Sequence, residues 1–115
     1  MSDITIYHNP RCSKSRQTLA LLEERGISPT VIEYLNTPLD AQGLKSLASK
    51  LGVEIRAMMR TKEDAYREQN LSEASDAELL EAIVRAPILL ERPVVVRGNR
   101  AVTGRPPENV LRLLD

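Results

Sequence analysis

The chain has 115 residues, 42% of them apolar, and its 16 basic and 16 acidic side chains cancel to a net charge of zero. This size fits one domain with a hydrophobic core of its own; the charge balance and the lack of Phe and Trp provide neither the basic face nor the stacking platforms of a nucleic-acid binder. A single Cys and a single His exclude an internal disulfide, and a four-ligand structural zinc site within one chain.

The opening MSDITIYHNP lacks the charged and apolar regions of a signal peptide. No apolar run approaches the ~20 residues of a spanning helix. A cytoplasmic monomer without membrane contact is expected. The first element is a short strand, with Ile4 and Ile6 alternating with Thr5 and Tyr7, and His8-Asn9-Pro10-Arg11 follows as a loop. A helix is predicted from about Lys14 to Arg25, with Ser13 as N-cap, Ser15, Leu19 and Leu22 on one face and Gly26 as its C′ residue. Thr30 to Tyr34 reads as a second, β-branched strand. Strand, helix and strand so closely spaced form a βαβ unit with parallel strands.

The middle of the chain reads as helical. Asp40 caps a helix whose Leu44, Leu47 and Leu51 share a face, and Gly52 ends it. Val53 to Arg60 is a further short helix, and Thr61 to Leu71 is polar and gives no periodic signal. Ser75-Asp76-Ala77-Glu78 is a capping box opening a helix with Leu79, Leu80, Ile83 and Val84, which stops before Pro87. Two strands return after Pro93: Val94-Val95-Val96 and Ala101-Val102-Thr103, joined through Gly98-Asn99, a pair that suits a type II′ hairpin turn. Pro106 and Pro107 open a final helix with Val110, Leu111 and Leu114 as its apolar face. The whole suits a mixed four-stranded sheet with helices, an α/β sandwich with an inserted helical segment.

The chemistry centres on Cys12, which ends the first loop and precedes a helix. Free N–H groups at a helix N-terminus lower a thiol's pKa, and Arg11, Lys14, Arg16 and His8 would add positive potential there. A free Cys can also be a small core hydrophobe, but the polar setting HNPRCSKSR argues against that. Cys12 and Ser15 form C-x-x-S, so a disulfide at Cys12 needs a thiol from outside, such as glutathione or a small redox protein. Ser15 could bond the thiolate or be simply an early helix residue. The C-x5-R phosphatase loop is excluded, because the sixth residue after Cys12 is Thr18. No Walker A, Rossmann or G-x-S-x-G pattern occurs. Twelve of the basic residues are Arg, whose planar fork grips oxyanions.

The segment Tyr7–Arg16, with Arg56-Ala57-Met58-Met59-Arg60, the run Pro87–Val96 and Gly104-Arg105-Pro106-Pro107, resembles the glutaredoxin-dependent arsenate reductases, in the same order and over nearly the whole chain. The resemblance implies a thioredoxin-like three-layer sandwich and reduction of arsenate to arsenite, with glutathione and glutaredoxin as electron donors and no bound cofactor or metal. It implies Cys12 as nucleophile, Arg60, Arg92 and Arg105 as oxyanion ligands, Pro93 as a cis-proline facing the cysteine loop, and His8 as the group that favours the thiolate. The family's long members extend past the final helix, whereas this chain stops at Asp115, and Arg11 adds a cation beside Cys12. Two alternatives use the same thiol: a glutathione-dependent thiol/disulfide reductase, and a redox-linked, transcription-regulating binding protein. The second senses through a C-x-x-C pair, which Ser15 interrupts.

Overall fold

The computed structural model describes residues 3–114. They group into two compact units, one running to Thr37 and resuming at Arg92, the other spanning Pro38–Glu91.

The first unit holds a four-stranded sheet. Strand β1 (Ile4–His8) is followed by helix α1 (Ser13–Glu24), β2 (Thr30–Glu33), and then β3 (Val94–Arg97), β4 (Arg100–Thr103) and a 3-10 helix, Pro107–Leu113. The order across the sheet is β2-β1-β3-β4. β1 pairs with β2 in parallel, Ile6 opposite Val31, as the βαβ reading requires; β3 lies antiparallel to both β1 and β4. Ile4 and Ile6 point to one face, where they meet Leu22 of α1, Val95, and Val110 and Leu113 of the terminal helix in one buried cluster. Ile4, Ile6 and His8 alternate at period two, so His8 is buried in line with this core at the strand's C-terminal end. β2 is a sheet edge and largely exposed; it ends at Glu33 rather than Tyr34, which is buried beyond the strand.

Gly98 has φ +61° in the two-residue turn closed by the Arg97–Arg100 pair, as a II′ hairpin needs. The final helix is 3-10 rather than α. At three residues per turn, Pro107, Val110 and Leu113 line up as its buried face, so Leu111 and Leu114 flank the core rather than form its centre.

The second unit contains α2 (Ala41–Leu51), a 3-10 turn Ile55–Met58, α3 (Asp64–Glu68), a 3-10 turn Leu71–Glu73, α4 (Asp76–Arg85) and a 3-10 turn Pro87–Leu89. Asp40 caps α2 by accepting from the Gly43 N–H at 2.7 Å, and Ser75 and Glu78 complete both halves of the capping box on α4. Leu44 and Leu47 of α2 and Leu79, Leu80 and Ile83 of α4 are buried, but Val84 is 40% exposed. The expected helix over Val53–Arg60 is only the turn Ile55–Met58. Arg60 lies beyond it, its N–H donating to Leu89 O at 2.7 Å beside a Met59–Leu90 bridge. The polar stretch that gave no periodic signal is held by Arg56, whose guanidinium donates to Leu71 O at 2.8 Å, to Ala74 O at 3.0 Å and to the Tyr66 hydroxyl.

Candidate functional site

The site is built on the turn after β1. Asn9 organises it: its carbonyl accepts the Cys12 N–H at 3.0 Å, its Oδ1 accepts the Arg11 N–H at 3.0 Å, and its own N–H donates to Ser15 Oγ at 3.0 Å. This closed turn leaves Cys12 extended and makes it, not Ser13, the N-cap of α1. The Cys12 carbonyl accepts the first helical bond, from the Arg16 N–H at 3.0 Å. The thiol thus stands where a capping oxygen normally receives the N2 and N3 amides.

Burial pushes the Cys12 thiol up, but the Ser15 N–H, the Arg92 guanidinium and the Lys14 N–H outweigh it and bring the thiol below its ordinary value. The charge that acts on the sulfur comes from Arg92, at the far end of the chain. Arg11, Lys14 and Arg16 are exposed, and Arg16 donates to Pro10 O at 3.0 Å. Arg105 joins from a third segment: its Nη1 donates to Arg92 O at 3.1 Å and lies 3.9 Å from Cys12 Sγ. The Arg92–Pro93 peptide is cis, and Pro93 O accepts the Gly104 N–H at 2.9 Å.

His8 and Ser15 form a pair beneath the thiol. Ser15 is fully buried, and its Oγ lies 2.6 Å from His8 Nδ1. Burial lowers the His8 pKa, Glu33 opposes that shift and Arg16 adds to it. Burial thus disfavours the charged imidazole, against the positive potential expected of it from the sequence. The Ser15 hydroxyl accepts from the Asn9 N–H and shares a second hydrogen bond with Nδ1. Of the two readings of Ser15, the structure gives a third: its backbone N–H faces the sulfur while its hydroxyl ties the loop to His8. Behind the loop a groove of about 420 Å³ is lined by His8, Asn9, Arg11, Glu33, Leu35 and Asn36.

The first unit thus brings together Cys12, Ser15, His8, Arg92, Pro93 and Arg105. Arg60 belongs to the second unit, where Nε pairs with Glu63 at 2.9 Å and Nη1 lies 4.0 Å from Glu91. Sequence reading missed three residues. Asn9 could have been found, since Asn-Pro is a turn signal. Thr18 and Gly104 are 86 positions apart and meet only in the fold.

Among the described residues no helix is long and apolar enough to cross a membrane. The ArsC family model matches residues 7–113. An arsenate reductase from Haemophilus influenzae is 50% identical over 114 residues, 96% of this chain and 98% of that one. An arsenate reductase from Neisseria meningitidis is 51% identical, over 99% of this chain and all of that one. A longer arsenate reductase from Escherichia coli is 42% identical, over 99% of this chain and 82% of its own length. Among solved structures, an arsenate reductase from Vibrio cholerae superposes with a TM-score of 0.92 at 54% identity, over 95% of each chain. On its sequence and its thioredoxin-like fold, the chain belongs to the ArsC family.

Proposed function

We propose that this protein is a cytoplasmic, monomeric arsenate reductase that works through Cys12, with glutathione and glutaredoxin supplying the electrons and no bound cofactor. One observation carries the reading: a thiol below its ordinary pKa stands at a helix N-terminus with Arg92 and Arg105 gathered around it. The relatives named arsenate reductase supply the substrate. Thiolate and arsenate are both negative, and their approach requires fixed positive groups to offset the repulsion. Arg92 and Arg105 serve this need. Arg60 is the third ligand that the family resemblance implies.

In the first step the Cys12 thiolate bonds to arsenic as one As–OH bond breaks, and the departing hydroxyl takes a proton from solvent to leave as water. A glutathione sulfur then bonds to Cys12 Sγ as the S–As bond breaks. The electron pair of that bond stays on arsenic, reducing As(V) to As(III), and arsenite departs with the glutathione proton. A glutaredoxin thiolate attacks the glutathione sulfur and returns Cys12 as thiolate. The chain has one Cys, so it cannot close its own disulfide, and an outside thiol is required. His8 and Ser15 hold the loop, and Pro93 forms the wall facing it.

The test is arsenite production from arsenate by the purified protein with glutathione and glutaredoxin, beside Cys12→Ser. Turnover abolished by the substitution supports the reading. Replacing glutaredoxin with thioredoxin tests the donor, since equal rates would overturn the glutaredoxin assignment. No arsenite from folded protein, with mixed disulfides turned over instead, would make it a thiol/disulfide reductase.

A further inference from the structure

Arg105 is exposed and hangs from a loop that follows β4, so its 3.9 Å approach to Cys12 Sγ needs a cause. That cause lies one residue earlier. A Cβ built on Gly104 would stand 2.3 Å from Thr18 Oγ1, 3.0 Å from Thr18 Cγ2 and 2.7 Å from Pro93 Cγ. No real Cβ tolerates such distances, so only glycine lets this backbone settle between α1 and the proline. Thr18 is fully buried. Its hydroxyl donates to Lys14 O at 2.8 Å and reaches Gly104 O at 3.4 Å. The Gly104 N–H donates to Pro93 O at 2.9 Å. The next residue, Arg105, then reaches Arg92 O at 3.1 Å.

The geometry points to Thr18 and Gly104 as positioning residues: their seat against Pro93 fixes the loop at the height from which Arg105 covers the Cys12 thiol. The claim rests on the role given to Arg105 above, but it concerns where the guanidinium stands, not which substrate it meets. The Thr18 hydroxyl bonds backbone carbonyls, not the sulfur. It acts through Gly104, and Gly104 acts through Arg105. The helix that activates the sulfur therefore also sets the position of the cation that covers it.

The test uses two alkylating agents of similar size, iodoacetate, which is anionic, and neutral iodoacetamide. The ratio of their rates at Cys12 reads the positive potential over the thiolate and requires no arsenate turnover. A guanidinium displaced by a few ångströms should lower this ratio about threefold. Gly104→Ala should give that fall with the protein still folded by circular dichroism. Adding Arg105→Ala should lower it no further, because both changes remove the same interaction. Adding Thr18→Ala to Gly104→Ala should restore the ratio to within about twofold of wild type, since two of the three close approaches disappear. If Gly104→Ala does not fold, Thr18→Ala alone decides: the loop loses its wall and the ratio should fall. A folded Gly104→Ala with the wild-type ratio overturns the proposal, as does a Gly104→Ala/Arg105→Ala double whose losses multiply. Failure of the arsenate assay with these ratios obeyed would sink the substrate and leave the clamp standing.

Discussion

Replacing Ser15 by Ala separates two roles that a C-x-x-S serine could have. The hydroxyl is fully buried, accepts the Asn9 N–H at 3.0 Å and lies 2.6 Å from His8 Nδ1. Ser15→Ala removes both bonds and leaves two buried polar groups behind, at about 1–3 kcal/mol each. Both bonds meet at one oxygen, so the two costs do not simply add and the expected total is about 2–4 kcal/mol. In a domain of this size that lowers the melting temperature by roughly 8–16 °C. The backbone N–H groups of Ser15 and Lys14, which hold the thiolate, are untouched by the change. Urea unfolding should therefore show the full loss, while iodoacetamide alkylation of the folded protein at pH 7 changes by less than about threefold. A variant as stable as wild type but alkylated tenfold more slowly would refute the reasoning and return the hydroxyl to the sulfur.

Arg56 and Arg60 are one helical turn apart in sequence and differ in task. Arg56→Ala should cost about 2–3 kcal/mol, because its guanidinium carries the Leu71 and Ala74 carbonyls. Arg56→Lys should not restore it, since an ammonium lacks the fork. Arg60→Ala loses an ion pair with Glu63 that is about a quarter exposed on each side, worth about 1 kcal/mol, and should raise the KM for arsenate with little change in melting temperature. Equal thermal losses for the two arginines would contradict this division. Stability should also track pH. A thiol below its ordinary value in the folded chain contributes stability that is full above the unfolded pKa of about 8.5 and is lost as pH falls through the folded one. Burial holds the His8 pKa below its unfolded value, so its protonation favours unfolding as pH falls below about 6.5. In urea titrations Cys12→Ser should flatten the upper part of this profile and leave the decline below pH ~6.5; an unchanged upper slope would contradict the thiolate assignment.

What was legible in the sequence follows the range of the interaction that decides each feature. The βαβ unit, the hairpin through Gly98, the Asp40 cap and the Ser75–Glu78 capping box are settled by residues within a few positions of one another, and each is found where periodicity or turn chemistry placed it. The misreadings have local causes too: a 3-10 helix over Pro107–Leu113 buries every third residue, which differs from α spacing only by a slow drift. Cys12 was visible because a thiol between a strand and a helix has few uses, but what activates it was only half visible. Nearby cations suggest the charge, yet Arg11, Lys14 and Arg16 are exposed, and the guanidiniums beside the sulfur are those of Arg92 and Arg105, from a distant part of the sequence. His8 is expected from the sequence to bring charge; in the fold burial disfavours that charge, and the imidazole bonds the Ser15 hydroxyl. The Thr18–Gly104 contact carried no signal at all, because a glycine before Arg-Pro announces only backbone freedom. Its reason is a missing Cβ that another segment needs gone. The arginine of the G-R-P block supplies chemistry and its glycine supplies position, so substitutions at the two should fail alike in activity and differently in what restores them.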